Sequence, residues 1–172
     1  MDNLPHVSPL DHLEYMRYAL SLARQSPPKP TNFRVGAVLV DEAANRILST
    51  GYTLELPGNS HAEQCALQKY FAAGANEQAD TVLPAHTVLY TTMEPCQSRS
   101  AGNVPCVDRI LATQSGSHQG IQTVYIGVKE PDTFVAANAG QSKLEQEGIV
   151  CMHVPGLEEE ILQTATAGHR MS

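Results

Sequence analysis

Short patterns of histidine, glutamate and cysteine in this chain have the composition of a metal-dependent hydrolytic site. The stretch SHAEQCAL at residues 60–67 contains His61 and Glu63 in the pattern H-x-E. In a chain with seven histidines, this pattern arises by chance roughly half the time, so it decides nothing alone. Two of the four cysteines, Cys96 and Cys106, directly follow proline, whereas chance predicts about 0.26 such steps. The excess makes both Pro-Cys steps functional candidates.

His61, Cys96 and Cys106 are predicted to bind one zinc ion. Each Pro-Cys step is predicted at a helix start, where free backbone N–H groups favour a thiolate, and thiolates bind zinc. Three protein ligands leave the fourth tetrahedral position open for water, which is typical of a catalytic rather than a structural zinc site. Zinc held in this way lowers the pKa of water to about 7. The pattern therefore predicts hydrolytic chemistry.

Glu63 is the predicted proton shuttle. Attack of water on an amidine-like ring carbon needs a base for the water proton and an acid for the leaving ammonia, and one carboxylate can do both in turn. Residues two apart on a regular helix face nearly opposite ways, so convergence requires that His61 lies at the irregular start of the helix. Cys65 is interpreted as a small buried residue, although as a fourth ligand it would close the zinc shell.

The elements that must position these residues follow from periodicity and turn residues. The chain is expected to form one domain over residues 1–172, with a frayed tail from residue 165. After an initial hairpin, strands and helices alternate, which favours an α/β fold with a mixed sheet of about five strands and helices on both faces. Strands are predicted at 33–40, 45–52, 86–92, 121–128 and 149–154, and helices at 8–26, where Ser8 is the expected cap, 61–74, 105–114, 141–148 and 157–166.

Composition favours a small-molecule substrate. The formal net charge of −7 argues against long nucleic acids, whose phosphates require Lys and Arg. No apolar run approaches the ~20 residues that cross a bilayer, and the N-terminus MDNLPHVSPL has no apolar signal core. The four cysteines make a poor disulfide framework. We therefore expect a cytoplasmic protein with neither a membrane nor a nucleic-acid partner.

The chain resembles the cytidine deaminase-like superfamily over nearly its full length. H-x-E followed by P-C and a second cysteine is the signature of zinc nucleobase deaminases, in which the glutamate is the shuttle and not a ligand. Cytidine, tRNA-adenosine and guanine deaminases typically have two residues between the paired cysteines, whereas nine lie between Cys96 and Cys106. This long spacing resembles the pyrimidine deaminases of riboflavin biosynthesis, as do the stretches TNFRVGAVLV, LYTTMEPCQSRSAGNVPC and VYIGVKEPDTFVAANAGQSKLEQEGI.

The resemblance implies the three-layer α/β/α cytidine deaminase-like fold, one zinc ion per chain and a homodimer. Bacterial relatives normally carry a reductase after this domain, and this sequence has none, so the stand-alone fungal type is expected, in which the ribose is reduced first. The implied substrate is a small phosphorylated pyrimidine, 2,5-diamino-6-ribitylamino-4(3H)-pyrimidinone 5′-phosphate, which loses its 2-amino group as ammonia.

The resemblance also implies a set of substrate contacts. Asn32 is expected to bind the ring, although TNF stands where bacterial relatives usually have PNP, and the main chain of Glu94 is expected to face the leaving amine. The stretch between the cysteines lacks the histidine usual in bacteria, so Ser98 or Arg99 is expected to contact the substrate instead. Ala62 and Lys129 complete the predicted set. Candidates for the phosphate are Lys129, Arg99, Arg34 and Lys143.

Two other functions stay open at this point. One is a zinc deaminase of another base, such as cytosine, guanine or tRNA adenosine; the negative charge argues against RNA. The other is a non-catalytic zinc-binding partner subunit. Glu63 argues against the second, because a structural site has no use for a proton shuttle, whereas a fourth ligand such as Cys65 would favour it.

Overall fold

The protein has a five-stranded sheet with helices on both faces. The computed structural model describes residues 4–75, 82–99, 102–114, 119–129 and 139–169. The elements in chain order are α1 (His12–Ala23), β1 (Gly36–Asp41), β2 (Arg46–Tyr52), α2 (Ala62–Ala75), β3 (Thr87–Met93), α3 (Cys106–Leu111), β4 (Ile121–Val128), α4 (Gly140–Gln146), β5 (Val150–His153) and α5 (Glu158–Thr166).

The sheet is mixed, and its strand order is β2-β1-β3-β4-β5. Strand β1 is antiparallel to both β2 and β3, whereas β3, β4 and β5 run parallel. Every residue of β1 and β3 is buried, which explains why their sequences read as continuous apolar and β-branched runs rather than alternating ones. The predicted mixed sheet of about five strands is confirmed.

Helices cover the two faces of the sheet in separate layers. On one face α1 and α5 pack on a core that includes Met16, Leu20, Tyr90 and Ile161. On the other face α2, α3 and α4 cover Leu39, Leu89, Ile110, Val124 and Leu144. The predicted α/β/α arrangement is therefore confirmed. None of the helices in the described part of the chain has the length and apolar character needed to cross a membrane.

Two glycines allow the helices to approach the hairpin closely. A Cβ atom at Gly36 would overlap the carbonyl oxygen of Ala19 in α1, and one at Gly51 would overlap the carbonyl oxygen of Ala62 in α2. In the hairpin register, Gly51 pairs with Ala37, the neighbour of Gly36. Gly36 thus allows α1 to pack on one face of the hairpin, and Gly51 allows α2 to pack on the other. Such close backbone contacts require glycine, because any side chain would separate the two backbones.

The first helix begins later than the sequence suggested. Asp11, not Ser8, is the N-cap of α1, and its carboxylate accepts a hydrogen bond from the backbone N–H of Glu14 at 3.1 Å. A side-chain acceptor three residues before a free N–H satisfies one of the unpaired donors of the first turn. The residues DHLE therefore carry the start signal.

The end of the chain is more ordered than the predicted frayed tail from residue 165. Ala165 lies inside α5 and is fully buried, and its carbonyl accepts a hydrogen bond from the backbone N–H of Arg34 at 3.1 Å. His169 Nε2 lies 2.8 Å from the carbonyl oxygen of Asn32. The prediction of fraying is wrong for residues 165–169, because they pack on the loop before β1. Residues 170–172 lie outside the described residues.

Candidate metal centre and active site

His61 occupies the irregular helix start that convergence with Glu63 requires. Helix α2 begins at Ala62, so His61 is its N-cap residue, and its carbonyl accepts the first helical hydrogen bond from the N–H of Cys65 at 2.9 Å. The backbone N–H of His61 donates to Gln64 Oε1 at 3.3 Å. This is the second half of a capping box, in which the side chain at the third helical position holds the cap residue.

The two Pro-Cys steps lie in different local structures. Cys106 is the first residue of α3, as predicted, whereas Cys96 lies in the loop that follows β3, so its prediction at a helix start is wrong. The free amides of α3 nevertheless serve Cys96: Cys106 N–H donates to Cys96 Sγ at 3.3 Å, and Val107 N–H donates to its carbonyl at 3.1 Å. The start of α3 therefore carries Cys106 and also holds Cys96 through two backbone N–H groups.

The three predicted ligand atoms converge. His61 Nδ1 lies 3.5 Å from Cys96 Sγ and 3.4 Å from Cys106 Sγ, and all three atoms lie within 4.8 Å of one another. Two sulfur atoms and one imidazole nitrogen form a donor set that zinc prefers over magnesium or calcium. Among the described residues this is the one His, Cys, Asp or Glu group with such convergence, and Cys65 is not part of it.

The electrostatics of the two thiols fit a cation site. A hydrogen bond from Cys106 lowers the pKa of Cys96 to about 4. The same hydrogen bond, followed by burial, raises the pKa of the Cys106 thiol. The pair therefore carries one negative charge readily, and a second one is opposed by the first. A cation held between the sulfur atoms removes this conflict, which is the chemical reason why the arrangement fits zinc.

Glu63 is buried beside the converging ligands. It is 4 % exposed, and its Oε1 accepts a hydrogen bond from Thr91 Oγ1 at 2.9 Å. Burial raises the pKa of the Glu63 carboxyl, and the neighbouring Cys96 raises it further. A buried carboxyl with a raised pKa takes up a proton more readily than one in water. The hydroxyl of Thr91 in β3 therefore contacts the predicted shuttle.

Arg99 and Asn32 are joined through a residue that the sequence did not single out. Asn32 Nδ2 donates to Asn59 Oδ1 at 2.8 Å, and Arg99 Nη2 donates to the Asn59 carbonyl at 2.5 Å. Arg99 Nη1 donates to Gln64 Oε1 at 3.0 Å and to the carbonyl of Val104 at 3.1 Å. Arg99 therefore fastens the loop between the cysteines to the start of α2. Gln64 was also not singled out, and its position three residues after His61, which is the spacing of a capping box, is the signal that would have identified Gln64.

The other predicted contact residues lie in varied surroundings. Ala62 is fully buried, and Ser98 is exposed. Glu94 is buried, and its backbone N–H donates to the carbonyl of Val128 at 2.9 Å. Lys129 follows Val128 at the carboxyl end of the internal strand β4 and is exposed. Residues 130–138, the middle of the third stretch that resembles the riboflavin-type enzymes, lie outside the described residues.

Three of the four candidate phosphate contacts already have protein partners. The guanidinium of Arg34 donates to the carbonyls of Ser26 and Arg24 at 2.8 and 2.6 Å. Lys143 forms an ion pair with Asp108 at 2.7 Å. The guanidinium of Arg99 donates to the side chain of Gln64 and to two backbone carbonyls. Within the described part of the chain, Lys129 is the candidate without a hydrogen bond or ion pair.

Two proteins that are similar to this chain over most of its length are named as deaminases. The diaminohydroxyphosphoribosylamino-pyrimidine deaminase of Schizosaccharomyces pombe is 36% identical over 163 residues, which are 95% of this chain and 37% of that protein. The Aspergillus oryzae Rib2 deaminase, solved in complex with DARIPP, is 48% identical with a TM-score of 0.82, over 95% of this chain and 93% of that one.

A bacterial protein of known structure is similar to this chain at lower sequence identity. The diaminohydroxyphosphoribosylaminopyrimidine deaminase/5-amino-6-(5-phosphoribosylamino)uracil reductase of Thermotoga maritima is 29% identical with a TM-score of 0.69, and the match covers 90% of this chain and 39% of that one. This chain thus spans well under half of the yeast and Thermotoga proteins. A family model described as the cytidine and deoxycytidylate deaminase zinc-binding region matches residues 10–127. This chain therefore belongs to the cytidine and deoxycytidylate deaminase zinc-binding family.

Proposed function

We propose that this protein is a zinc-dependent deaminase of riboflavin biosynthesis. The reaction is the hydrolysis of 2,5-diamino-6-ribitylamino-4(3H)-pyrimidinone 5′-phosphate, which releases ammonia. The observation that carries the proposal is the convergence of His61, Cys96 and Cys106 within 4.8 Å, with the buried carboxylate of Glu63 beside them. The relatives from fission yeast and Aspergillus oryzae, both named as deaminases, support the substrate class.

His61, Cys96 and Cys106 would hold the zinc ion. Zinc bound by three such ligands supplies a water molecule of lowered pKa as the nucleophile. The N–H of Cys106 orients Cys96 through its hydrogen bond to the sulfur, and Gln64 holds the backbone of His61. Partners of this kind orient ligands and are part of the design of a metal site.

Glu63 moves both protons of the reaction. The oxygen of water forms a bond to the ring carbon, and the bond from that carbon to the exocyclic nitrogen breaks. One water proton ends on the ring nitrogen and the other on the leaving amine, which departs as ammonia. A single carboxylate beside the nucleophile can take each proton and deliver it in turn. Its burial excludes bulk water from the transfer.

The ring and the leaving amine are assigned to loop residues on either side of the metal centre. Asn32, held by Asn59 at 2.8 Å, contacts the ring, and the main chain of Glu94 faces the leaving amine. Ala62, Ser98 and Arg99 complete the proposed contacts. The structure of the Aspergillus oryzae relative in complex with DARIPP supports a phosphorylated pyrimidine as the substrate class, and the nine residues between the cysteines support it over a free base.

Lys129 is assigned to the substrate phosphate, because its ammonium is exposed and has no hydrogen bond or ion pair with the residues that the structure describes, so it is available to an anion. Lys129→Ala is expected to raise KM about tenfold with little change in kcat, which corresponds to loss of one ionic contact. Lys143→Ala is the matched control, since its ammonium is paired with Asp108, and it should leave KM unchanged. A larger effect of Lys143→Ala than of Lys129→Ala would reverse the assignment.

The function is tested by ammonia release from purified protein whose zinc content has been measured. Three substrates are compared: the ribitylamino pyrimidinone phosphate, its unreduced ribosylamino counterpart and cytosine. Turnover of the ribitylamino compound alone is the expected result. It would establish both the chemistry and the order in which reduction precedes deamination.

The other outcomes separate the alternatives. Preference for the ribosylamino compound would keep the pathway and reverse its order. Turnover of cytosine would keep the zinc mechanism and overturn the substrate. Absence of turnover of all three substrates by zinc-loaded protein would favour the non-catalytic partner subunit. A single domain over residues 1–172, a homodimer and a cytoplasmic location stay predictions; light scattering of the purified protein tests the homodimer.

A further inference from the structure

Thr91 connects the central strand of the sheet to Glu63. Its side chain is fully buried, and Oγ1 lies 2.9 Å from Glu63 Oε1 and 3.0 Å from the carbonyl oxygen of Met93. The other buried threonines of β3 bond to backbone instead. Thr87 donates to the carbonyl of Pro84 at 2.6 Å, and Thr92 accepts from the N–H of Gly36 at 3.2 Å. Thr91 alone of the three contacts an ionisable side chain.

The strand fixes the position of the Thr91 hydroxyl. Thr91 pairs with Ala37 of β1 and with Ile126 of β4, so its backbone is held from both sides. A β-branched side chain has few accessible rotamers at χ1, and burial removes the space for alternatives. Glu63 has a longer and more flexible side chain on the first turn of α2. The rigid partner therefore determines where the carboxylate lies.

The hydrogen bond also distinguishes the two oxygens of Glu63. Thr91 fixes Oε1 against the strand, so Oε2 is the oxygen on the side away from the strand hydroxyl. Because a hydroxyl both donates and accepts, Thr91 can donate to the carboxylate, or accept from the carboxylic acid while it donates to the Met93 carbonyl. The same side-chain position thus suits Glu63 before and after it takes up a proton from water.

We propose that Thr91 is a positioning residue that holds the Glu63 carboxylate in the orientation needed for proton transfer. This inference rests on the proposed deaminase function. It predicts an effect on the rate of the chemical step rather than on zinc binding or substrate affinity, because the side-chain partner of the Thr91 hydroxyl is the predicted shuttle Glu63.

The test compares Thr91→Val, Thr91→Ser and Thr87→Val in zinc-loaded protein with the ribitylamino pyrimidinone phosphate. Thr91→Val keeps the shape and removes the hydroxyl, and it should lower kcat about 10- to 100-fold with KM changed less than about twofold. Thr91→Ser restores the hydroxyl and should recover most of the rate. Thr87→Val makes the same change on the same strand face, away from Glu63, and should keep kcat. All variants should retain one zinc per chain.

The outcomes distinguish the inference from the function on which it rests. Wild-type turnover with full activity of Thr91→Val would overturn the inference alone, as would an equal loss in Thr87→Val. Absence of wild-type turnover on this substrate would overturn the proposed function and the inference with it. If Thr91→Val fails to fold, Thr91→Ala removes the hydroxyl with a smaller side chain, and its comparison with Thr91→Ser gives the same decision.

Discussion

Two histidines at helix starts lie on opposite faces of the sheet and have different surroundings. His12 is the first residue of α1; its Nδ1 lies 2.7 Å from the Tyr90 hydroxyl, and its ring stacks on Tyr125 with 4.3 Å between centroids. His61 precedes the first residue of α2 and faces two sulfur atoms. Consecutive residues of β3, Tyr90 and Thr91, reach the two regions, because neighbouring side chains on a strand point to opposite faces.

The region around His12 is a stack of tyrosines with partners at its polar ends. Tyr90 stacks between Tyr15 and Tyr125, with centroid distances of 4.8 and 4.6 Å. Tyr15 donates to Asn45 at 2.6 Å, and Tyr125 donates to Glu42 at 3.2 Å. Burial, followed by the charge of Glu42, raises the pKa of Tyr125 to about 12. These phenols stay neutral and bonded, which is typical of a polar cluster that supports packing.

The region around His61 has the opposite character. Its nitrogen and sulfur atoms converge on one another, and ionisation of one thiol opposes that of the next. The ionisation of the neighbouring groups therefore indicates the role of a half-buried histidine. A ring bonded to a neutral phenol is satisfied, whereas a ring facing two ionisable thiols needs a cation between them. The same substitution on the two faces should therefore have unequal effects.

The largest difference is expected between Glu63→Gln and Glu42→Gln. Glu63→Gln should keep fold and zinc and lower turnover about 10²- to 10⁴-fold, because the amide cannot take up the water proton. Glu42→Gln, which changes the partner of Tyr125 on the face of the sheet with the tyrosine stack (the tyrosine face), should keep turnover. Steady-state assays with zinc-verified protein measure both. Activity of Glu63→Gln within about tenfold of wild type would contradict the shuttle assignment.

The zinc content of two cysteine variants should also differ. Cys106→Ala removes one of three predicted ligands and should yield protein with no stoichiometric zinc, as measured by elemental analysis. Cys65→Ala, on a fully buried cysteine of α2, should retain zinc. If Cys65→Ala also loses its metal, the zinc shell has a fourth protein ligand, and the non-catalytic alternative gains support.

A smaller effect, on stability alone, is expected on the tyrosine face. Tyr90→Phe removes the hydroxyl bonded to His12 and should lower the free energy of unfolding by about 1 kcal/mol, with zinc content and kcat unchanged. Urea denaturation measures the first quantity. Tyr70→Phe, which removes an exposed hydrogen bond to the Val82 carbonyl, should cost less. Loss of turnover in Tyr90→Phe would show that the two faces are not independent.

The smallest effect is expected at Glu158, which belongs to neither region. Backbone N–H groups at the start of α5, its own and that of Gly156 at 2.9 Å, lower the pKa of its carboxyl. A carboxyl with a lowered pKa stabilises the folded state above the unfolded pKa of about 4.3, and the stabilisation is lost as the pH falls through the folded pKa. Glu158→Gln should therefore lower Tm slightly at neutral pH and not in strong acid.

The control for this change is Glu159→Gln. Glu159 lies in the same first turn of α5, and its carboxylate accepts a hydrogen bond from the Gln163 side chain. Thermal unfolding followed across the acid range should show a pH-dependent difference for Glu158→Gln that Glu159→Gln lacks. Equal pH profiles for the two variants would contradict the contribution of the Gly156 N–H.

The sequence predicted the parts of the molecule that depend on local pattern. The mixed sheet and its two helical layers were predicted from the hairpin and the subsequent alternation of strands and helices, and the converging group of His61, Cys96 and Cys106 was predicted from H-x-E with two Pro-Cys steps. It missed long-range partners. No local pattern tells which carboxylate faces Thr91, or that the guanidinium of Arg99 bonds to the carbonyls of Asn59 and Val104, because these contacts depend on how distant loops pack.

Gly51 makes the site depend on a strand that contributes no side chain to it. The backbone of β2 is seated against the carbonyl of Ala62, the residue between His61 and Glu63. There is no clearance at this contact, so even the methyl group of alanine at position 51 would push the first turn of α2 outward. His61 and Glu63 would then move together, away from the two cysteines. The hairpin therefore limits how far the start of α2, with His61 and Glu63, can lie from Cys96 and Cys106.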